Sequence, residues 1–376
     1  MTETSVNFDD IRPYHDAEVP AAVQRIIADP EFIRAIIRYR FGSSANWLVS
    51  LASPFLSWYL RRHWSGLKTV DAVQHYVAKY LQQSLSRTTQ SLTCSGLSKL
   101  SKENAYLFVS NHRDIAMDPA LVNWCLHREG FSTSRIAIGD NLLKRTCVTE
   151  LMKLNKSFIV KRSAKGPREM LKALAQLSAY IAHSLETGQH IWIAQKEGRA
   201  KDGFDLTDPA ILKMFYIAGK QQSIDFPTYM ASLKIVPVSI SYEFDPCDEA
   251  KAQELHQLAT AGNYQKTEFE DIESIVTGIT GQKGRVHVHF GQVMTNPDDL
   301  ASPETLAAAI DREIYSGYQL YPANYVAAGL PVPAELQPEN SAAFIHRLQA
   351  MPESIRPYIT QMYASPLHNF NKLVGQ

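Results

Sequence analysis

Cysteine is scarce in this chain: Cys94, Cys125, Cys147 and Cys247 are the only four in 376 residues. They are widely spaced and form no C-x-x-C pattern, so neither a disulfide framework nor a zinc site is expected, and a reducing cytoplasm fits. No charge of one sign dominates, with 38 Lys and Arg against 38 Asp and Glu, which excludes a global attraction to nucleic acid. The N-terminus, Met1-Thr2-Glu3-Thr4 and then Asp9-Asp10, has neither the basic start nor the apolar core of a secretory signal. Internal repeats, low-complexity tracts, a G-x-S-x-G elbow and a G-x-G-x-x-G loop are all missing, so a serine hydrolase of the elbow type has no footing. What remains is a hydrophobic content of 45% and a length that suits one large catalytic domain with terminal additions.

The charge balance hides a local asymmetry. Between Arg135 and Lys220 fifteen Lys or Arg stand against eight Asp or Glu. That excess reads either as solvated helix faces or as a field that draws in anionic substrates. Phe41 to Leu60 is a second local anomaly, twenty residues without a charge. Ser43, Asn46, Ser50, Ser53 and Ser57 recur at steps of three and four and mark a polar stripe along a helix. Trp47, Leu48, Leu51, Phe55, Trp58, Tyr59 and Leu60 form the other face, Pro54 interrupts the middle, and Arg61-Arg62 follow. A stripe of this kind argues against a membrane span. It fits an interfacial helix over 41–62, with aromatics at headgroup level, or a helix packed on the core.

Beyond residue 100 apolar runs alternate with helical periodicity, the mark of an α/β domain. Strands are expected at 105–110, 134–139, 157–161, 190–195, 234–242 and 285–290. Pro167 opens a helix with Met170, Leu174, Leu177, Ile181 and Leu185 on one face, and Gly188 closes it. The run from Arg285 to Phe290 alternates and predicts a half-exposed strand. His287 and His289 on it read as surface residues, and no metal is expected. After residue 300 come a helix through Leu306 to Tyr315, a Pro-rich connector (Pro331, Pro333, Pro338) and a helix around 341–350.

The richest segment is Asn111-His112-Arg113-Asp114-Ile115-Ala116-Met117-Asp118-Pro119, directly behind the apolar run Tyr106 to Ser110. A histidine just past a buried strand, with a carboxylate a few residues on, is a candidate base with its orienter. Three further segments follow: Ser157-Phe158-Ile159-Val160-Lys161-Arg162, then Glu197-Gly198-Arg199, then Ile235-Val236-Pro237-Val238-Ser239-Ile240-Ser241-Tyr242. In order and spacing these four blocks resemble the boxes of the glycerolipid acyltransferases, the glycerol-3-phosphate and lysophosphatidic acid acyltransferase superfamily. The resemblance covers roughly residues 95 to 295. Two departures stand out. Five residues separate His112 from Asp118 where the family usually has four, and Ala200 stands where the third box usually has arginine, flanked by Arg199 and Lys201.

The resemblance implies an α/β domain with a mixed, mostly parallel sheet flanked by helices over about 95–320, and helical additions at 1–94 and 321–376. It implies transfer of a fatty acyl group from acyl-CoA or acyl carrier protein, as co-substrate and without a cofactor, to a hydroxyl of a glycerophosphate or lysophospholipid. His112 would be the base and Asp118 its orienter. Arg162, Lys161, Arg199 and Lys201 would hold the acceptor phosphate, with Glu197 and Gly198 shaping its pocket. Asn111, Arg113, Asp114 and Pro237 would support the turn and strand end, Pro237 as a bend beside the pocket or as an edge-strand proline. The implied setting is the cytoplasmic face of a membrane, held peripherally. Two rival readings exist. His112-Arg113-Asp114 also starts a kinase catalytic loop, but no Asp-Phe-Gly follows. A lipid- or carrier-binding protein of the same fold without activity is the other.

Overall fold

The computed structural model describes residues 7–41, 46–267, 269–337 and 341–374. They divide into two compact units, 1–81 with 135–177 and 82–134 with 178–376.

The smaller unit holds helices α1 (Val19–Ala28), α2 (Pro30–Phe41) and α3 (Asn46–Trp64) and most of α4 (Val70–Thr88). Val19, Val23, Ile26, Ile33, Ile37, Leu60 and Val73 make its core. Half-buried Val49, Ala52, Leu56 and Trp64 dock α3 against that core. The opposite face of α3 is left in solvent: Leu51 is 73% exposed, Phe55 67% and Trp58 59%. Ser53 and Ser57 are half-buried, so the serine stripe does not point wholly to water. Small side chains let helices approach, and the Ser53 hydroxyl is satisfied within the helix by the carbonyl of Val49, 2.5 Å away. Nor does Pro54 interrupt α3. It lies on the exposed side, as does Ser50, the residue whose carbonyl would otherwise take its N–H. Ser43 and the side chains of Asn46, Trp47 and Leu48 lie outside the described residues.

Later in the chain, strands β3 (Arg135–Gly139) and β4 (Ser157–Val160) of this unit pair in parallel. Around them lie α6 (Thr146–Leu154) and the first half of α7 (Pro167–Glu186).

The larger unit carries β1 (Ser91–Ser95), β2 (Leu107–Ser110), β5 (Ile191–Ala194), β6 (Ile235–Tyr242) and β7 (Arg285–Phe290), in the order β1-β7-β6-β2-β5. Among the described strands of this unit only the β6–β7 pair is antiparallel. The sheet is therefore mixed and mostly parallel, as the four boxes imply. Each residue of β2 is buried, as is nearly all of β6, whereas β7 alternates between buried and half-buried. Helices α5 (Met117–Arg128), α8 (Pro209–Gln221), α9 (Phe226–Ser232), α10 (Asp248–Ala261), α11 (Glu270–Thr280) and α12 (Pro303–Ser316) accompany the sheet. Finally come α13 (Pro322–Ala327), α14 (Ser341–Ala350) and α15 (Arg356–Val374). Pro338 of the connector lies outside the described residues.

Three expectations need correction here. Cys94 and Cys125 are joined in a disulfide with Cα atoms 6.2 Å apart, because β1 pairs beside β7 and α5 packs on the same strand. Cys147 and Cys247 stay as buried thiols. The strand β1 was not anticipated. Pro237 is no edge-strand proline, since β6 lies between β7 and β2. Its carbonyl accepts from Gly291 N–H at 2.8 Å, and the β6–β7 ladder begins only at Val238. The missing N–H therefore points past the end of that ladder, where nothing is lost. No described helix is long and apolar enough to cross a membrane.

Candidate active site

Parallel neighbours bring their carboxyl ends together. Leu107 to Ser110 of β2 pair in register with Ile191 to Ala194 of β5 and Ile235 to Val238 of β6. The residues that follow β2 and β5, and the far end of β6, therefore gather at one edge of the sheet, the usual place for sites in parallel α/β folds. Three of the four boxes meet there: His112 to Asp118, Glu197 to Arg199, and Tyr242.

Asp118 is fully buried in the first turn of α5, where the helix dipole favours a negative charge. Its Oδ2 accepts from His112 Nδ1 at 2.8 Å, from Arg113 N–H at 2.6 Å and from Asp114 N–H at 2.9 Å. Its Oδ1 accepts from the Tyr242 hydroxyl at 2.7 Å. Burial, and then the Asp118 charge, push the Tyr242 phenol well above its ordinary pKa, so it stays a donor. With Nδ1 committed to Asp118, Nε2 is the ring nitrogen of His112 left for a substrate proton. Trp192 packs edge-on against the imidazole, ring centroids 5.8 Å apart, and its indole N–H donates to Ser110 Oγ at 3.1 Å.

The rest of the turn is pinned through polar contacts. Asn111 Oδ1 accepts from Ile240 N–H at 2.8 Å, and its amide donates to the Ile240 carbonyl at 3.0 Å, which ties the turn to β6. Arg113 is buried and donates to Asp205 Oδ2 at 2.6 Å. Burial opposes its charge, but Asp205, Tyr318 and Asp245 together more than offset that. Asp114 caps α5 through the N–H groups of Ala116 and Met117, at 2.9 and 2.8 Å. Its other oxygen has no partner among the described residues and lies against Gly278 of α11, where a Cβ would come within 2.0 Å of it. Burial first, and Asp118 next, raise Asp114 to about 6.

The third box forms a turn behind β5. Gly198 adopts the left-handed conformation that glycine allows. Buried Ala200 donates its N–H to the His112 carbonyl at 2.8 Å, so this turn is fastened to the histidine. The basic residues on either side differ. Lys201 is ion-paired with Glu254 of α10, while Arg199 reaches Ser274 Oγ at 3.4 Å. Glu197 is exposed. Lys161 and Arg162 belong to the smaller unit. There Lys161 pairs with Asp10 and donates to Gln176 at 3.0 Å, and the Arg162 N–H donates to Asp140 at 3.1 Å. His287 and His289 hydrogen-bond Thr93 and Ser95 on β1.

Sequence reasoning missed Asp205 and the contact of Trp192, and it gave Tyr242 no role. Tyr242 had a signal, as the last residue of the fourth box; Asp205 sits in a loop with none.

A histidine held at Nδ1 by a buried, fully hydrogen-bonded aspartate at the carboxyl ends of parallel strands leaves Nε2 able to accept a proton. Residues 91–241 match the family described as Acyltransferase. Among solved structures it is similar to the 1-acyl-sn-glycerophosphate (LPA) acyltransferase PlsC from Thermotoga maritima. That match has 13% identity and a TM-score of 0.39 over 79% of this chain and 94% of that one. No curated protein sequence matches the chain.

Proposed function

We propose that this protein moves a fatty acyl group from acyl-CoA or acyl carrier protein to the hydroxyl of a glycerophosphate or lysophospholipid, with 1-acylglycerol 3-phosphate as the leading acceptor. The observation that carries the reading is the His112–Asp118 pair, 2.8 Å apart, with the carboxylate fully buried and supplied with donors on both oxygens. An alcohol is a poor nucleophile at neutral pH. His112 Nε2 takes its proton as the oxygen attacks the thioester carbonyl, and Asp118 stabilises the imidazolium. The tetrahedral intermediate then expels the thiolate, which takes the proton back from His112. No acyl-enzyme is needed, and neither free cysteine, Cys147 or Cys247, belongs to the turn.

Arg199 is the basic residue of the third box best placed to meet an acceptor phosphate, since Lys201 is already paired with Glu254. Arg162 and Lys161 enter the reading through the family resemblance. Lipid substrates require the protein to meet a bilayer surface. The exposed Leu51, Phe55 and Trp58 of α3, followed by exposed Arg61 and Arg62, suit an interfacial contact with anionic lipid.

Release of free thiol from acyl-CoA and acyl carrier protein, measured over a panel of acceptors with the His112→Ala protein as control, tests the proposal. Acceptor-dependent release that vanishes in the variant is expected. Tight binding of thioester and lipid with no turnover would favour the inactive binding protein instead.

A further inference from the structure

Helices α13 to α15 lie beyond the residues that match the acyltransferase family, yet buried polar contacts lead from them into the catalytic turn by two routes. The first begins at Asp248, which is fully buried at the start of α10. Arg347 of α14 grips both of its carboxylate oxygens at 2.6 Å. Tyr363 of α15 donates its hydroxyl to Asp248 Oδ2 at 2.8 Å and accepts the N–H of Asp245 at 2.9 Å. Asp245 is ion-paired with Lys251, and Lys251 donates its ammonium to the carbonyl of Arg113 at 2.6 Å. That carbonyl lies one residue beyond His112, and the Arg113 N–H is itself bound to Asp118.

The second route reaches the Arg113 side chain. Ser365 of α15 donates to the Asp202 carbonyl at 2.9 Å, within the same loop as Asp205. Asp205 takes the Arg113 guanidinium at 2.6 Å and the Tyr318 hydroxyl at 2.6 Å, and the Arg113 fork also reaches the Gly203 carbonyl at 3.2 Å. Arg113 is thus held at its carbonyl by one network and at its guanidinium by another.

We infer that α14 and α15 position the His112–Asp118 pair, with Lys251 as the positioning residue that transmits their placement to the turn. The physical reason lies in the cost of the arrangement. Lys251 is 2% exposed, and a buried ammonium is costly unless fixed acceptors hold it. One of those acceptors is the Arg113 carbonyl, and the other is Asp245, whose backbone N–H is seated on Tyr363. A shift of α15 would move Asp245, then Lys251, then the peptide that joins Arg113 to Asp114. A terminal segment whose only task was to cover apolar surface would need none of these buried charges.

This inference rests on the proposed acyl transfer, so its test carries a readout that does not depend on turnover. Tyr363→Phe removes a single hydroxyl, and Arg347→Met removes the grip on Asp248 while keeping most of the volume. In both full-length variants kcat should fall roughly ten- to a hundred-fold with both Michaelis constants within about two-fold of the parent, as misplaced catalytic groups generally produce. Arg347→Lys should recover part of the loss. The hydrogen-bonded Nδ1 proton of His112, read by proton NMR at low temperature, should shift or broaden in both variants, and His368→Ala on the exposed side of α15 should leave it unchanged. Lowered thermal stability with kcat and the His112 proton unmoved would overturn the inference and leave these helices a structural cover. A parent protein that transfers no acyl group but whose His112 proton responds to Tyr363→Phe would sink the proposed reaction and leave the positioning role standing.

Discussion

Two regions of this molecule break the ordinary rule of burial in opposite directions. In the turn around His112, Asn111, Arg113, Asp114 and Asp118 are polar and buried. On α3, Leu51, Phe55 and Trp58 are large, apolar and exposed. Scattered exposed apolar residues are common, but three on one helix face, like four buried polar residues in one turn, call for an account. The turn is kept by hydrogen bonds: Asp118 alone accepts four. The face of α3 has no such compensation within its own unit, and it is this face that we propose as the contact with a lipid surface. The difference teaches that buried polarity is spent on geometry and exposed apolarity on contact. Mutations should therefore separate cleanly into losses of chemistry and losses of adhesion.

The largest effect belongs to the turn. His112→Ala should lower turnover by roughly a hundred- to ten-thousand-fold, the usual contribution of a positioned general base, with the fold intact. Asp118→Asn should be nearly as severe, because an amide cannot accept from His112, two backbone N–H groups and Tyr242 together. Asp114→Asn should be milder, since its remaining oxygen still caps α5. Steady-state rates of the three variants settle the order. Should Asp114→Asn prove the most damaging of the two aspartate changes, the shorter spacing is the functional one.

A step down lies phosphate recognition. Arg199→Ala should raise the acceptor's Michaelis constant roughly ten- to a hundred-fold, from loss of a charge-assisted contact worth about 1.5–3 kcal/mol, and barely change that of the thioester. If Arg162→Ala has this signature and Arg199→Ala does not, the second box holds the phosphate and the one-residue displacement in the third box has cost it that role.

Much of this was legible before any coordinates. Six of the seven described strands announce themselves as apolar or alternating runs, and Pro167 and Gly188 bracket α7 because each is pre-set for its helix end. His112 and Asp118 were legible because the whole contact spans six residues of chain. What was hidden depends on distant pairing. Ser-Leu-Thr-Cys-Ser makes β1 only because β7 supplies a partner, and the Cys94–Cys125 bond follows from that pairing. Asp205 meets Arg113 across ninety-two positions, and Lys251 meets its carbonyl across 138, beyond the reach of any local pattern. The half-burial of Ser53 and Ser57 on α3 was hidden for another reason: a small hydroxyl bonded to its own helix, as in Ser53, is cheap to bury.

Asp114 sharpens the same contrast through pH. Its folded-state pKa of about 6 lies above the ordinary 3.8, chiefly because burial opposes its charge. The folded state therefore holds the proton more tightly than the unfolded chain. Stability from this group is complete below pH 3.8 and is lost as pH rises to about 6, a swing of about 3 kcal/mol for two units. Urea unfolding of the parent and of Asp114→Asn at pH 4, 5 and 7 should show the variant gaining relative stability over that range. A difference that does not change with pH would mean the buried carboxyl does not titrate there.

The smallest effect on chemistry should come from α3, where the contrast is most exposed to failure. Leu51→Ser, Phe55→Ser and Trp58→Ser together remove three solvent-facing apolar side chains and none from the core of Val19, Ile26, Ile37 and Leu60. The triple variant should fold, and with a water-soluble short-chain acceptor its turnover should match the parent, because nothing in the turn has changed. Its co-sedimentation with anionic liposomes should weaken strongly. Full burial of one such side chain is worth roughly 1.5–3 kcal/mol, so even partial insertion of three exceeds a tenfold change in partition. Raised salt should weaken the parent's binding further, through Arg61 and Arg62. Two outcomes would break the comparison. Unfolding of the triple variant would place these residues in packing after all, and undiminished liposome binding would move the membrane contact elsewhere on the molecule.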